Sequence, residues 1–441
     1  MIQPRTLKGF RDYLPETMLP REQLIETCKR VYRSFGFAPI DTPTLELFEI
    51  LAGKGSEETD RQMYHFQDAG DRHVGMRFDL TVPLARFVAQ HSQQLGMPFK
   101  RYHIATVWRG ESPQAGRYRE FMQCDFDTIG TTSLTSDIET GLVIVELLRA
   151  IGFERFQVRV NNRKVLNGLL QAFELGDKAT PVLRAIDKLP KVGAAKVTEE
   201  LRETAKATEQ QINSILEFAQ ISGNNDEVLA ELNRLAGGNE LATTGIEQLR
   251  ELVGTYQRLG LSDAMVQIDP SIARGLDYYT GTIFETFLND LPGIGSVCSG
   301  GRYDNLADMF TREQLPGIGA SLGLDRLLAA MEQLGLRPQT QTPAQVMVAN
   351  FGDENRDTYF AIASSLRKCG LNVEMYPDSK KLGAQFKHAD RRGVQAVLIA
   401  GSDEIASGKI QVKWMDSGEQ TEVPWDNSAK ELADYLLQKL N

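Results

Sequence analysis

Apolar side chains return at helical spacing between Pro20 and Phe37, where Leu24, Ile25, Cys28, Val31, Tyr32 and Phe35 mark one face. Gly36 closes that helix, and Pro39 and Pro43 hold the following segment extended. From about residue 60 to residue 130 the pattern is strand-like, broken by a predicted helix over Pro83–Gln94. Ser136 is placed to cap an apolar helix running through Leu148, and Phe156–Val160 alternates as a strand. The character changes over 162–260. Long runs of Glu, Lys, Ala and Leu, as in AAKVTEELRETAKATEQQINSILEFA, carry apolar positions at helical spacing. They are too interrupted for sustained heptads, so a helical insertion is predicted rather than a coiled coil. Strand signals resume near Val266, with GTIFETF alternating cleanly.

Pro338–Pro343 (PQTQTP) is polar, Pro-bounded and aperiodic, the pattern of a linker. Beyond it strands and helices alternate. AQVMVANF, LNVEMY, AVLIAG and KIQVKWM are strand candidates, and Arg356–Lys368, Lys381–Arg391 and Ser428–Leu440 are helix candidates. That alternation predicts a small α/β domain with a mostly parallel sheet.

Composition narrows the function classes. The 441 residues include 59 acidic against 49 basic side chains, a net charge of −10 that argues against indiscriminate nucleic-acid binding. The four cysteines form no CxxC pair and read as reduced thiols. The five histidines show neither HExxH nor any zinc spacing, so no structural zinc and no resident metal are expected. The N-terminus has no apolar signal core, and no run of ~18 apolar residues occurs, so neither export nor membrane insertion is expected.

Four segments carry candidate chemistry. In Val107–Asp127 (VWRGESPQAGRYREFMQCDFD), Arg109, Glu111, Arg117 and Arg119 lie among aromatics, and Arg119, Phe121, Gln123, Asp125 and Asp127 share one strand face. Two readings fit equally: an exposed charge-paired hairpin, or a ligand site in which guanidinium forks grip phosphate. Ile272–Glu285 (IARGLDYYTGTIFE) brings Arg274, Tyr278 and Tyr279 before a strand, and by itself reads as a turn at a sheet edge. SGGRYDNL is followed by LPGIGASLGLDRLLAAM, whose glycines lead into a predicted helix Leu322–Met331 with Arg326 in its first turn. Such an entry suits phosphate, although the spacing is not that of a dinucleotide fold. In RFDLTVPLARF, Asp79 and Thr81 stand before a helix that Thr81 is placed to cap. No GxxxxGK[ST] is present, so a nucleotide would be held by arginines on an antiparallel scaffold.

Taken together, these segments resemble the histidyl-tRNA synthetase family. Gly36–Glu46 (GFAPIDTPTLE), Val107–Asp127 and Gly317–Arg326 are similar, in order, to the three motifs of class II aminoacyl-tRNA synthetases. ARGLDYYTGTIFE and SGGRYDNL resemble that family's histidine motifs, KGFRDYLP its N-terminus, and LGAQFKHADRRGVQAVLIAGSDEIASGKIQVKW its anticodon-binding domain. The resemblance implies an α+β catalytic domain with a mainly antiparallel sheet flanked by helices, a helical insertion and a C-terminal α/β anticodon-binding domain. On this chain those parts fall at 1–161 and 261–337 (catalytic), 162–260 (insertion), 338–343 (linker) and 344–441 (anticodon-binding).

The implied reaction activates L-histidine with ATP and Mg2+ and loads it onto tRNA(His), in a cytoplasmic homodimer. Arg109, Arg274 and Arg326 would be the catalytic arginines, with Arg109, Glu111, Arg117, Phe121 and Arg326 holding ATP. Arg109 and Arg274 would face the α-phosphate, with Arg109 also on the histidine carboxylate. Asp79, Thr81 and Gln123 would grip the amino group of histidine, Asp127, Tyr278 and Tyr279 would form the imidazole end, and Leu80, Arg109 and Arg274 would complete the histidine site. Some family members carry Glu where this chain has Asp79 or Asp127. Gln114, Lys380, Lys381, Lys387, Arg391 and Arg392 would meet tRNA. The alternatives are a catalytically inactive paralogue regulating histidine biosynthesis and a histidine or tRNA sensor. The retained arginines and the C-terminal stretch weigh against both.

Overall fold

The computed structural model describes residues 1–52, 61–112, 116–272, 278–336, 341–426 and 428–440. The chain forms two compact units, one of Met1–Arg11 and Leu24–Leu336, the other of Asp12–Gln23 and Arg337–Asn441.

The strands of the first unit are β1 (Ala38–Pro39), β2 (Leu45–Leu47), β3 (His65–Gln67), β4 (His73–Met76), β5 (Phe99–Trp108), β6 (Glu120–Ile129), β7 (Phe156–Asn162), β8 (Val266–Ile268), β9 (Thr282–Leu288), β10 (Cys298–Tyr303) and β11 (Gly317–Gly323). Eight of them form one sheet in the order β1-β5-β6-β11-β10-β9-β7-β8, while β2, β4 and β3 form a small second sheet. Within the large sheet only the outer pairs β1/β5 and β7/β8 are parallel; the rest are antiparallel. Strand alternation divides its faces. Tyr102, Cys124 and Phe126 point toward the helix Pro15–Ser34, whose Tyr32 ring lies 5.5 Å from Tyr102 and 5.2 Å from Phe126 and whose hydroxyl donates to the Cys124 carbonyl. The opposite face carries the polar residues. This division makes one side of the sheet core and the other a site.

Several boundaries differ from the sequence reading. The first helix begins at Pro15 rather than Pro20. The apolar helix after β6 spans Leu134–Ile151 and is capped by Ser133, not Ser136; the extended backbone of Ser133 lets its hydroxyl accept from the Thr135 amide. The glycines at 317, 319 and 323 belong to β11, and the helix after them starts at Leu324 rather than Leu322. At Gly317 and Gly319 the role is clearance, while Gly323 is the N-cap of that helix and lines the cavity described below. A Cβ on Gly319 would strike the Asp127 carboxylate, and one on Gly317 the Tyr303 ring.

The 162–260 stretch folds as six helices, from Arg163–Ala172 to Glu240–Arg258. Capping boxes at Thr208/Gln211 and Asn224/Glu227 begin new helices inside it, which breaks any continuous heptad register. Helix Glu240–Arg258 closes on Leu134–Ile151, where Tyr256 donates to the Ile138 carbonyl and rests over Gly141. One continuous apolar core joins these helices to the sheet.

The second unit holds β12 (Val346–Val348), β13 (Val373–Met375), β14 (Ala396–Ile399), β15 (Lys409–Trp414) and β16 (Gln420–Pro424) in the order β13-β12-β14-β15-β16. Pairs β12/β13 and β12/β14 are parallel, while β14/β15 and β15/β16 are antiparallel. The sheet is therefore mixed rather than mostly parallel. For β15/β16 the reason is the tight turn after Trp414, where Gly418 returns the chain beside β15; β14 and β15 are joined only by the short helix Ser402–Ser407, less than a parallel crossover needs. Residues 338–340 of the expected linker lie outside the described residues; beyond them Thr342 is buried and the Gln341 amide donates to the Arg392 carbonyl. Among the described residues no helix is long and apolar enough to cross a membrane.

Candidate active site

The polar face of the large sheet is ordered by strand register. Asp127 stands opposite Arg101 on β5 and Gly319 on β11, Asp125 opposite His103 and Ser321, and Gln123 opposite Ala105 and Gly323. The rows continue through β10 and β9, with Gly301 and Ile283 behind Gly319, and Ser299 and Glu285 behind Ser321. Side chains of one row share a face, so residues far apart in sequence meet on one floor. Above it lies a cavity of about 480 Å³. That is the scale of a small-molecule site.

At one end the walls are aromatic and acidic. Tyr278 meets Tyr279 and Tyr303 edge to face, at 5.3 and 5.9 Å between centroids. The Tyr303 hydroxyl donates to Asp127, whose other oxygen lies 2.6 Å from Arg101 Nη2. Small residues make the room: a Cβ on Gly301 would come within 3.1 Å of the Tyr279 ring. Burial drives the Asp127 carboxyl upward, with Arg101 and the Tyr303 hydroxyl pulling it back. Asp125, also buried, is pushed up to about 7, again by desolvation first, with Arg101 opposing. Burial likewise holds the Tyr278 phenol well above its ordinary range.

In the middle, Asp79 caps the helix Thr81–His91, one oxygen accepting from the amides of Thr81 and Val82 at 3.0 and 2.9 Å. The cap is thus Asp79 and not Thr81, and both residues line the cavity. Gln123 donates to Ser321 Oγ at 2.7 Å. Its Oε1, and Oδ1 of Asp125, are buried acceptors with no hydrogen-bond partner among the described residues. Orphaned acceptors beside a carboxylate suit a ligand that brings its own donors, such as an ammonium group.

At the other end, the Arg109 guanidinium lies between the rings of Phe78 and Phe121, 4.5 and 5.1 Å from their centroids, with Nε donating to the Phe78 carbonyl. Glu111, Arg117 and Arg326 line the same cavity, Arg326 donating to the Ser296 carbonyl. The N-terminal Arg11 fixes this end. It is 2.6 Å from Asp325, which also accepts the Met122 amide, and it donates to the Tyr118 hydroxyl at 2.8 Å.

Most residues singled out from sequence therefore meet around one cavity: Asp79, Thr81, Arg109, Glu111, Arg117, Phe121, Gln123, Asp127, Tyr278, Tyr279 and Arg326. The exposed-hairpin reading of β6 fails, because Asp125 and Asp127 are buried in that floor. Leu80 does not reach the cavity; its side chain packs with Ala105, Val107 and Phe121. Arg274 and Gln114 lie outside the described residues. In the second unit Lys380, Lys381, Lys387 and Arg391 are exposed, and Arg392 is half-buried. Lys380 is paired with Asp378 at 3.0 Å and Arg392 with Glu374 at 3.6 Å, so the five do not form one free stripe. Sequence reasoning missed Arg101, His103, Ser321, Glu285 and Tyr303. For the first two a signal existed, since Arg101 and His103 fall at period two with Ala105 and Val107 on one face of a strand.

Among known proteins, residues 9–327 match the family model described as histidyl-tRNA synthetase, and residues 345–435 match the anticodon binding domain. The histidine–tRNA ligase of Rhodopirellula baltica is 58% identical over 440 residues, covering 100% of this chain and 99% of the relative. That of Wolinella succinogenes is 44% identical, covering 95% of this chain and 96% of its own. The crystal structure of histidyl-tRNA synthetase from a Nostoc species superposes with a TM-score of 0.91 at 37% identity, over 100% of both chains.

Proposed function

The chain belongs to the histidyl-tRNA synthetase family, and on that footing we propose how its cavity activates L-histidine with ATP and passes it to the 3′ end of tRNA(His). The observation that carries this reading is the single cavity bounded by Arg109, Phe121 and Arg326 at one end and by Asp127, Tyr278 and Tyr279 at the other. Its first half suits a nucleotide triphosphate and its second an imidazole, with the acceptors of Asp79 and Gln123 between them.

In the first step the histidine carboxylate attacks the α-phosphorus and pyrophosphate leaves. In the second the terminal ribose hydroxyl of tRNA attacks the carbonyl of histidyl-adenylate and AMP leaves. Neither step needs a covalent nucleophile from the protein, so the protein's contribution is positioning and charge stabilisation. Phe121 stacks on adenine and Glu111 accepts from its amino group. Arg109 spans the α-phosphate and the histidine carboxylate, joined by Arg274, while Arg117 and Arg326 hold the outer phosphates. Asp79, Thr81 and Gln123 take the ammonium group. Asp127 accepts one imidazole N–H, and the tyrosines Tyr278 and Tyr279 meet the ring and its second nitrogen. A pocket of such polar groups rejects amino acids that leave them unpaired.

The family reading implies Mg2+ bound with ATP. No group of three or more His, Cys, Asp or Glu suited to a metal occurs among the described residues, while Glu111 and Glu285 line the cavity. Those two carboxylates would be the protein groups to hold a hard cation, which would supply neutralisation of the triphosphate charge. Lys381, Lys387 and Arg391 offer the second unit's contact to tRNA. A second copy of this chain is the partner for the small sheet, where Leu45, Leu47 and Phe66 are exposed, giving a homodimer that works in the cytoplasm.

The test is ATP–pyrophosphate exchange. It is expected to require histidine and to be abolished, to within about a hundredth of wild type, in Arg109→Ala. Exchange driven equally by another amino acid, or none at all, would sink the assignment.

A further inference from the structure

Arg101 heads the fully buried side chains by size, yet no role in binding or chemistry falls to it above. A guanidinium cannot shed its proton, so it is a permanent cation with no access to water. Among the described residues its Nε, Nη1 and Nη2 find no hydrogen-bond partner. Its one ion-pair contact among the described residues is Asp127 Oδ2, at 2.6 Å. A cation taken out of water is tolerated only where it is paired, and removing one partner of such a pair costs more than the pair contributes. The pairing is fixed by the strands, because Arg101 and Asp127 are cross-strand neighbours in register.

We propose that Arg101 is a positioning residue for histidine, the counter-ion beneath the imidazole pocket that keeps Asp127 ionised and aimed to accept the imidazole N–H. This rests on the reading of Asp127 as the imidazole acceptor. The division of labour follows from the two oxygens. One receives the Tyr303 hydroxyl, the other faces Arg101, and each keeps a lone pair for a ligand donor.

The groups facing this pair among the described residues come from several elements. Asp125 shares β6 with Asp127, Tyr303 comes from β10, and Tyr278 and Tyr279 come from the segment before β9. His103, Arg101's neighbour on β5, is held by Asp41 at 2.9 Å with Arg77 nearby. Burial and the arginines push His103 down to about 4, so it stays neutral near neutral pH. Burial holds the three phenols protonated. Arg101 opposes the upward push on Asp125 as well as on Asp127, so its loss moves both carboxyls in the same direction.

The experiment is histidine-dependent ATP–pyrophosphate exchange with Arg101→Met between about pH 6 and pH 9, fitting KM for histidine and for ATP separately. The expected result is a histidine KM raised on the order of tenfold at the acid end, where Asp127 without its counter-ion is protonated, converging on wild type at the alkaline end. The ATP KM should stay within about twofold, since the triphosphate end is untouched. A variant-to-wild-type ratio that is flat with pH, or a histidine KM that does not move, overturns the proposal. Should Arg101→Met not fold, the pair is read by melting instead: the double variant Arg101→Met with Asp127→Asn should melt above Asp127→Asn alone, because it no longer buries an unpaired cation. A double variant that melts lower means Arg101 is packing only and overturns the proposal. Failure of the wild type to exchange with histidine, by contrast, removes the underlying reading of the cavity.

Discussion

Asp79 serves two purposes with one carboxylate: one oxygen caps the helix Thr81–His91, and the group also lines the cavity. Substitution separates them. Asp79→Asn keeps an acceptor for the two amides but loses the charge, so histidine KM should rise by about tenfold with little change in melting temperature. Asp79→Ala should add a loss of about 1 kcal/mol of stability from the missing cap, readable by denaturant unfolding. If the Asn variant lost stability and kept its KM, the carboxylate would be a cap and nothing more. Arg109 gives a second contrast. Its planar guanidinium lies between Phe78 and Phe121, a geometry that a lysine ammonium cannot reproduce. Arg109→Lys should therefore cut adenylate formation by about a hundredfold in single-turnover assays, although charge is conserved. Residues of this kind were legible in the sequence because forked cations among aromatics are rare on ordinary surfaces. Tyr303 was not, and Arg101 showed only as a charge at an alternating position, since what each one meets depends on which strand lies opposite, and register is not written in local pattern.

At the scale of elements, β6 shows how one period-two pattern serves two masters. Cys124 and Phe126 point into the core, while Gln123, Asp125 and Asp127 point into the cavity. Alternation made the strand legible and also misled, because a charged face on an antiparallel strand usually meets water. The burial has a pH signature. The Asp125 carboxyl titrates near 7 in the fold, above the ordinary carboxylate value. A raised folded value means that the neutral acid is favoured. The stability it contributes is complete below the unfolded value near 4 and is lost as pH rises through about 7. Wild type should thus lose melting temperature relative to Asp125→Asn between about pH 5 and pH 8; a constant difference would place the group in water. Helix boundaries were less legible than helices, as Ser133 in place of Ser136 shows, because neighbouring serines offer equivalent caps. Close packing was not legible at all. Gly141 in helix Leu134–Ile151 looks like a weak helix position, yet it lies under Tyr256 and 3.2 Å from Phe284 when given a Cβ. Gly141→Ala should destabilise by about 1–3 kcal/mol despite alanine's better helix propensity, measured by urea unfolding.

At the scale of the whole molecule the question is how a protein of net charge −10 engages a polyanion. The mean field repels tRNA, so attraction has to come from cations not neutralised by their own neighbours. Of the basic residues at 380–392, Lys380 and Arg392 spend their charge on Asp378 and Glu374. Lys381, Lys387 and Arg391 are exposed and have no acidic partner among the described residues, and the last two lie one helical turn apart on Leu382–Arg392. Each phosphate they contact releases counter-ions, which makes affinity fall with salt in proportion to their number. Replacing these three with alanine should lower the slope of log affinity against log salt by about 2, taking roughly 0.7 per contact for single-stranded nucleic acid. Replacing Lys380 and Arg392 should change it by less than that, because pairs already neutral release little. Activation of histidine needs no tRNA, so pyrophosphate exchange should persist in the triple variant while aminoacylation at limiting tRNA falls. A slope unaltered by the triple change would make this helix face solvated surface and move the search for the tRNA contact elsewhere on the chain.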